Sequence, residues 1–248
     1  LSSTRSTTAK GSLYDRYHRQ PNLQAKLSAH PLATELRKRI CAGICELNRE
    51  SGLAFAFVED AGEAFRSVHK SYGLFSGVRS AIALKGAQDL PDLAEKTGYY
   101  GERLMLKLTG PGLGACWGGG TFNRRLFEVP AGERMPCVMP VGYVEGPARK
   151  EKLIRSALSR KRRPVSQRLI GCENAPGWVF SAMEAVCLAP SAANSQKPVF
   201  TYADGVGTAA AETGHAMDLI DPGIARLHFA LEADGHFEFG QNGKFIKE

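Results

Sequence analysis

Two stretches of this chain carry the groups needed to handle a flat ligand with a polar edge. The first is Ala189-Pro190-Ser191-Ala192-Ala193-Asn194-Ser195-Gln196. Small side chains at Ala192 and Ala193 let the backbone approach a ring, while the Asn194 and Gln196 amides each donate and accept along the edge of a heterocycle. The second is Cys116-Trp117-Gly118-Gly119-Gly120-Thr121-Phe122, in which three consecutive glycines allow backbone N–H groups to point at a ligand atom. Taken singly, the first stretch also reads as a helix end with Ser and Asn turn signals, and the second as a flexible turn at a strand end. The glycine triplet has neither the spacing of a dinucleotide-binding fingerprint nor that of a phosphate loop.

Other chemistries find less support. No Gly-x-Ser-x-Gly elbow and no close carboxylate pair argue for hydrolysis. The histidines, among them His215, His228 and His236, show no metal-ligand spacing and read as surface or satisfied core residues, and no metal is expected. The six cysteines (Cys41, Cys45, Cys116, Cys137, Cys172 and Cys187) form no Cys-x-x-Cys pair and read as reduced and mostly buried. Cys41 and Cys45 stand one helical turn apart and read as small apolar filler on one helix face.

Together, the two stretches resemble the nitroreductase superfamily of FMN-dependent oxidoreductases, in the single-chain branch where two nitroreductase-like halves are fused. Ala189 to Gln196 is similar to that family's flavin-facing Ala-Pro-Ser turn. Gly98-Tyr99-Tyr100-Gly101-Glu102 through Phe122 is similar to its central helix and flavin-edge loop, and Met139-Pro140-Val141-Gly142-Tyr143 and Asp221-Pro222-Gly223-Ile224-Ala225 match further segments. The resemblance implies an α+β, nitroreductase-like fold whose two similar halves form an intramolecular pseudo-dimer. It implies a flavin gripped by Gly118, Gly119 and Gly120 from one half and by Pro190, Ser191, Ala192, Asn194 and Gln196 from the other. Because the first half lacks a Pro-Ser turn and the second lacks a Trp-Gly-Gly-Gly loop, one composite site and one FMN per chain are expected. The family's basic phosphate motif is represented by Arg16, His18 and Arg19, with His18 where serine is usual and Gln20 in place of the final arginine. The implied activity is ping-pong transfer of a hydride from NADH or NADPH to a small organic acceptor such as a nitroaromatic or a quinone.

Elements able to position these stretches are legible in the hydrophobic spacing. Leu32, Leu36, Ile40, Ile44 and Leu47 recur every three or four residues and predict a helix over 32–47, with Gly52 beyond its end. Residues 53–58, 80–84, 138–143 and 198–202 read as short buried strands, and 61–73 as helix and turn. Helical spacing returns over 93–108, which Pro111-Gly112 stops, and over 178–188, which leads into the Ala-Pro-Ser stretch. A last helix over 223–233, started by Asp221-Pro222, presents Ile224, Leu227, His228 and Leu231 on one face. The division expected is a loose arm over 1–12, a first half over 13–148 and a second half over 149–248.

At 248 residues, 43% hydrophobic and 23% charged, the composition is that of a globular protein with a substantial core. No apolar run reaches the roughly 20 residues of a membrane span, and the start lacks a secretory pattern, so no membrane association and a cytoplasmic location are expected. The net charge of +7 suits an anionic partner. Its densest segment, from Arg149 to Arg163, interleaves no aromatic side chains to stack on bases and reads as a solvated linker, so nucleic acid is not the expected partner. A flavin-binding storage or sensor protein without turnover and, behind it, a nucleic-acid-binding protein are the alternatives. An internal pseudo-dimer is compatible with a monomer or a homodimer.

Overall fold

The computed structural model describes residues 27–66, 76–108, 113–120, 122–145, 162–203, 206–210 and 216–248. The apolar spacing near the start produces α1 (Thr34–Ser51), which buries Ile40, Ile44 and Leu47 and stops at Gly52, whose φ of 72° is left-handed. Only glycine adopts that conformation without steric cost from a Cβ. β1 (Ala56–Val58) is shorter than the expected strand over 53–58. The Asn48 side chain explains the difference, because it accepts from Phe55 N–H and donates to Phe55 C=O, both at 2.9 Å. Those two groups are thereby withdrawn from any strand ladder.

β2 (Ser80–Ala87) is central to a sheet ordered β1-β2-β4-β3, with β3 (Leu113–Ala115) and β4 (Glu133–Tyr143) following α2 (Leu93–Leu108) in the chain. All its pairings are antiparallel. Ile82 and Leu84 meet the helices on one face, whereas Ala81 and Ala83 pack with Phe65, Phe122 and Phe127 on the other. β4 starts earlier than the apolar run over 138–143 because Met135 and Cys137 alternate inward while Arg134 and Pro136 do not.

The second part holds β5 (Leu169–Ile170), α3 (Gly177–Leu188), β6 (Val199–Ala203), β7 (Val206–Ala210), α4 (Asp221–Ala233), β8 (Gly235–Phe237) and β9 (Phe245–Lys247). β5 runs parallel to β6, and the β6–β7 and β8–β9 pairs are antiparallel. Its core is aromatic, with Phe200 stacked on Phe229 at 5.2 Å and both touching Phe237. One order recurs along the chain: α1, β1, β2, α2, β3, β4, then α3, β6, β7, α4, β8, β9.

α4 corrects the one-faced helix expected from the sequence. Every residue from Asp221 to Phe229 is buried, because α4 lies between α2 and α3. A helix covered on all sides must pair its polar side chains. Arg226, 1% exposed, donates to Glu95 on α2 and to the carbonyls of Glu238 and Gly240. Burial pushes the Glu95 carboxyl up to about 7 and the guanidinium opposes the shift.

The cysteines need a second correction. Cys116 and Cys137 are buried, as expected, but Cys41 and Cys45 are exposed. Each directly follows a residue of the stripe of Ile40, Ile44 and Leu47 and so lies about 100° round the helix from it, on an exposed flank, so their spacing gives a shared face without giving burial. Burial pushes the Cys116 thiol up to about 12. Thiol titration of the native protein should therefore label Cys41 and Cys45 promptly and Cys116 and Cys137 only after denaturation. Prompt labelling of either buried thiol would contradict the packing.

Candidate active site

The Ala-Pro-Ser stretch leaves the end of α3 and folds into a tight turn over Ala192–Asn194. Ala193, Asn194 and Gln196 all have positive φ, at 49°, 51° and 53°. For residues with a Cβ this conformation costs on the order of 1 kcal/mol each and persists only where the surroundings enforce it. The enforcement is visible. Asn194 N–H donates to Ser191 C=O at 2.9 Å, Ser195 N–H to Ala192 C=O at 3.0 Å, and Gln196 N–H to Ser191 Oγ at 2.9 Å.

Asp221, the first residue of α4, receives Ala192 N–H at 3.1 and 3.0 Å from its two carboxylate oxygens. It is 2% exposed, and burial pushes its carboxyl up to about 6 against the pull of the Ala192 N–H. Beside it, Lys197 Nζ pairs with the buried Asp218 at 2.7 Å. Underneath, the buried Arg168 donates to Val186 C=O at 3.0 Å and Pro198 C=O at 3.2 Å, tying together the chain entering the turn and the chain leaving it. Burial lowers that guanidinium from its usual range.

The glycine stretch is held from the other side. Gly118 exchanges two backbone hydrogen bonds with Val138 of β4, at 2.8 and 3.0 Å. Its N–H is thus engaged within the sheet, while Gly119 is half-buried and Gly120 exposed. A Cβ on Gly120 would meet nothing within 4 Å, so open space adjoins that backbone. Just before the glycines, Trp117 Nε1 donates to Glu102 on α2 at 3.0 Å.

Of the residues singled out from the sequence, Pro190, Ser191, Ala192 and Asn194 lie in one half-buried turn whose Ala193 is exposed. The Gln196 side chain points inward instead, 3% exposed, its Oε1 accepting Arg163 N–H at 2.8 Å. Among the three glycines, Gly119 and Gly120 have backbone outside the β4 ladder. Arg16, His18 and Arg19 lie outside the described residues. Sequence reading missed Asp221 and Arg168 as supports of the turn. Asp221 carried two signals, as a carboxylate at a helix start and within a segment similar to the family, and neither pointed to Ala192; Arg168 carried none. Among the described residues no three metal-binding side chains cluster, and no helix is long and apolar enough to cross a membrane.

A family model described as "Putative TM nitroreductase" matches residues 24–233. The chain belongs to this nitroreductase family. Among solved structures, a "putative nitroreductase" from Thermotoga maritima superposes with a TM-score of 0.64 at 19% identity, over 99% of this chain and 97% of that one. This likeness gives the nitroreductase fold. An FMN-dependent nitroreductase from Clostridium difficile matches 60% of this chain and 98% of its own at 14% identity, with a TM-score of 0.41. The NADPH:FMN oxidoreductase from Vibrio harveyi matches 54% of this chain and 69% of its own at 16% identity, again with a TM-score of 0.41. No curated protein matches. For a nitroreductase family member, the two candidate stretches are both tied to the paired helices α2 and α4: the loop through Trp117 and Glu102, the turn through Ala192 and Asp221.

Proposed function

We propose that this chain binds one FMN between the Ala192–Asn194 turn and the Gly119–Gly120 backbone, and passes a hydride from NADH or NADPH to a small organic acceptor such as a nitroaromatic or a quinone. The observation that carries this reading is the turn itself. Left-handed backbone at Ala193 and Asn194, with small side chains and a buried carboxylate behind, is a preorganised surface of the kind found where a ligand must lie close to the main chain. Its stored strain needs a functional reason, and the family supplies one. The recurring element order supports two halves, divided at 148/149, that pair within one chain.

Bound FMN would supply the hydride chemistry. In this reading Asn194 would hold the ring edge beside Pro190, Ser191 and Ala192, and the Gly119 and Gly120 N–H groups would favour negative charge on the group bound there. Gln196 and Gly118 act one step back, the first by bracing the turn from inside and the second by anchoring the loop to β4. Arg16, His18 and Arg19 are the proposed phosphate contacts.

Absorbance spectroscopy tests the reading. Purified protein given FMN should retain a yellow chromophore through desalting and lose its visible absorbance when NADH or NADPH is added without oxygen. A nitroaromatic or quinone should then restore it. A protein that stays colourless with excess FMN would overturn the proposal, and a yellow protein that neither nucleotide bleaches would favour flavin storage without turnover.

A further inference from the structure

The half-buried Trp117 and the buried Glu102 and His228 form a hydrogen-bonded chain. His228 Nε2 on α4 lies 3.0 Å from one Glu102 oxygen on α2, and Trp117 Nε1 donates to the other at 3.0 Å. Because a carboxylate only accepts, the His228 nitrogen facing it carries the hydrogen. The Glu102 and His228 side chains are 3% and 6% exposed. Burying such groups carries a desolvation cost that well-packed apolar residues would avoid. The chain ends at the root of the glycine loop.

Trp117 is also fixed sterically. A Cβ on Gly101 would lie 2.6 Å from its ring, so the indole fills a slot that glycine leaves open on α2. Gly118 is locked to β4, and beyond the loop Phe122 sits in the aromatic cluster while Asn123 N–H donates to Ala64 C=O at 2.8 Å. Gly119 and Gly120 therefore lie between two anchors, the first of which directly follows Trp117.

We propose that Glu102 and His228 are positioning residues for the flavin-edge loop: His228 orients Glu102, Glu102 orients the Trp117 indole, and the indole fixes the stance of the Gly119–Gly120 backbone. The inference rests on the FMN reading for its purpose but not for its geometry, and the two are separable by experiment. Trp117 and Trp178 are the two tryptophans of the chain, so a Trp178→Phe background leaves Trp117 as the sole indole emitter.

In that background, Glu102→Leu should shift Trp117 emission to the red, raise its quenching by acrylamide and weaken FMN binding by about 10-fold, the scale of one lost charge-assisted hydrogen bond. Glu102→Gln retains an oxygen for the indole N–H and should recover most of all three readouts, as should His228→Gln relative to His228→Leu. Parental emission in Glu102→Leu, or no recovery in a folded Glu102→Gln, would overturn the proposal. Should Glu102→Leu fail to fold, the His228→Leu and His228→Gln pair decides on the same readouts. If the parent binds no FMN, the FMN reading falls, and Trp117 emission still decides whether Glu102 and His228 position the indole.

Discussion

Asp221→Ala should weaken FMN binding by roughly 10- to 100-fold, the cost of removing a charge-assisted acceptor from a buried N–H. The Ala192 N–H has both Asp221 oxygens within 3.1 Å and is part of a turn whose left-handed residues depend on outside support. Without the carboxylate, the backbone relaxes toward ordinary conformations and the surface offered to the flavin is lost. Asp221→Asn separates charge from hydrogen bonding. Its amide oxygen still accepts from Ala192, so binding should fall only a few-fold, roughly the difference between a charged and a neutral acceptor.

Stability should move the opposite way in Asp221→Asn. The carboxyl has its pKa raised by burial from 3.8 to about 6, so the folded state holds the proton more tightly than the unfolded chain does. Such a group contributes most stability below about pH 4, loses it as pH rises through 6, and costs on the order of 3 kcal/mol above that. Lys197 and Asp218, which pair beside it, and Arg168 beneath the turn share its environment and are unchanged by the substitution. Asp221→Asn should therefore melt at a higher temperature than the parent at pH 8 and at a similar temperature at pH 4. Flavin-fluorescence titration and thermal unfolding at the two pH values check both halves of the argument. Equal FMN affinity in parent and Asp221→Ala would remove Asp221 from the site.

What the sequence made legible follows from the range over which its signals act. The spacing of Leu36, Ile40, Ile44 and Leu47 and the stop at Gly52 are local, and α1 covers that spacing but runs on from 47 to Ser51 before Gly52 ends it. The helix at 93–108 and the turn at 190–196 were legible for the same reason. The shortening of β1 was not, because it depends on Asn48 reaching seven residues along the chain to hold Phe55. The supports of the site are more distant still: Asp221 meets Ala192 across 29 positions and His228 meets Glu102 across 126. A lone glutamate or histidine in a helical pattern gives no sign of which buried group it will meet. The direction of Gln196 was illegible for a related reason, since an amide in a turn serves a ligand or its own backbone equally well.

The backbones of α2 and α4 approach each other so closely that a single added carbon cannot fit between them. Gly223 of α4 faces α2 so tightly that a Cβ would lie 1.9 Å from Glu95 C=O and 2.7 Å from Tyr99 N, and one on Gly98 would lie 2.1 Å from Ile220 C=O. These obstacles are helix backbone, which cannot rotate away as a side chain would, so the helices must separate. Gly223→Ala and Gly98→Ala should each cost about 3 kcal/mol or more, at the upper end for overpacking, despite the better helix propensity of alanine. Gly177→Ala, at the start of α3, is the control: a Cβ there meets nothing within 4 Å, and its stability should match the parent's or slightly exceed it. Because α2 carries Glu95 and Glu102 while α4 carries Asp221, Arg226 and His228, separating the two helices strains every link between them. The folded fraction of Gly223→Ala should thus bind FMN more weakly although the substitution touches neither the turn nor the loop. Urea unfolding midpoints with FMN titration of the same samples measure the two effects together, and a parental midpoint for Gly223→Ala would contradict the close packing of α2 on α4.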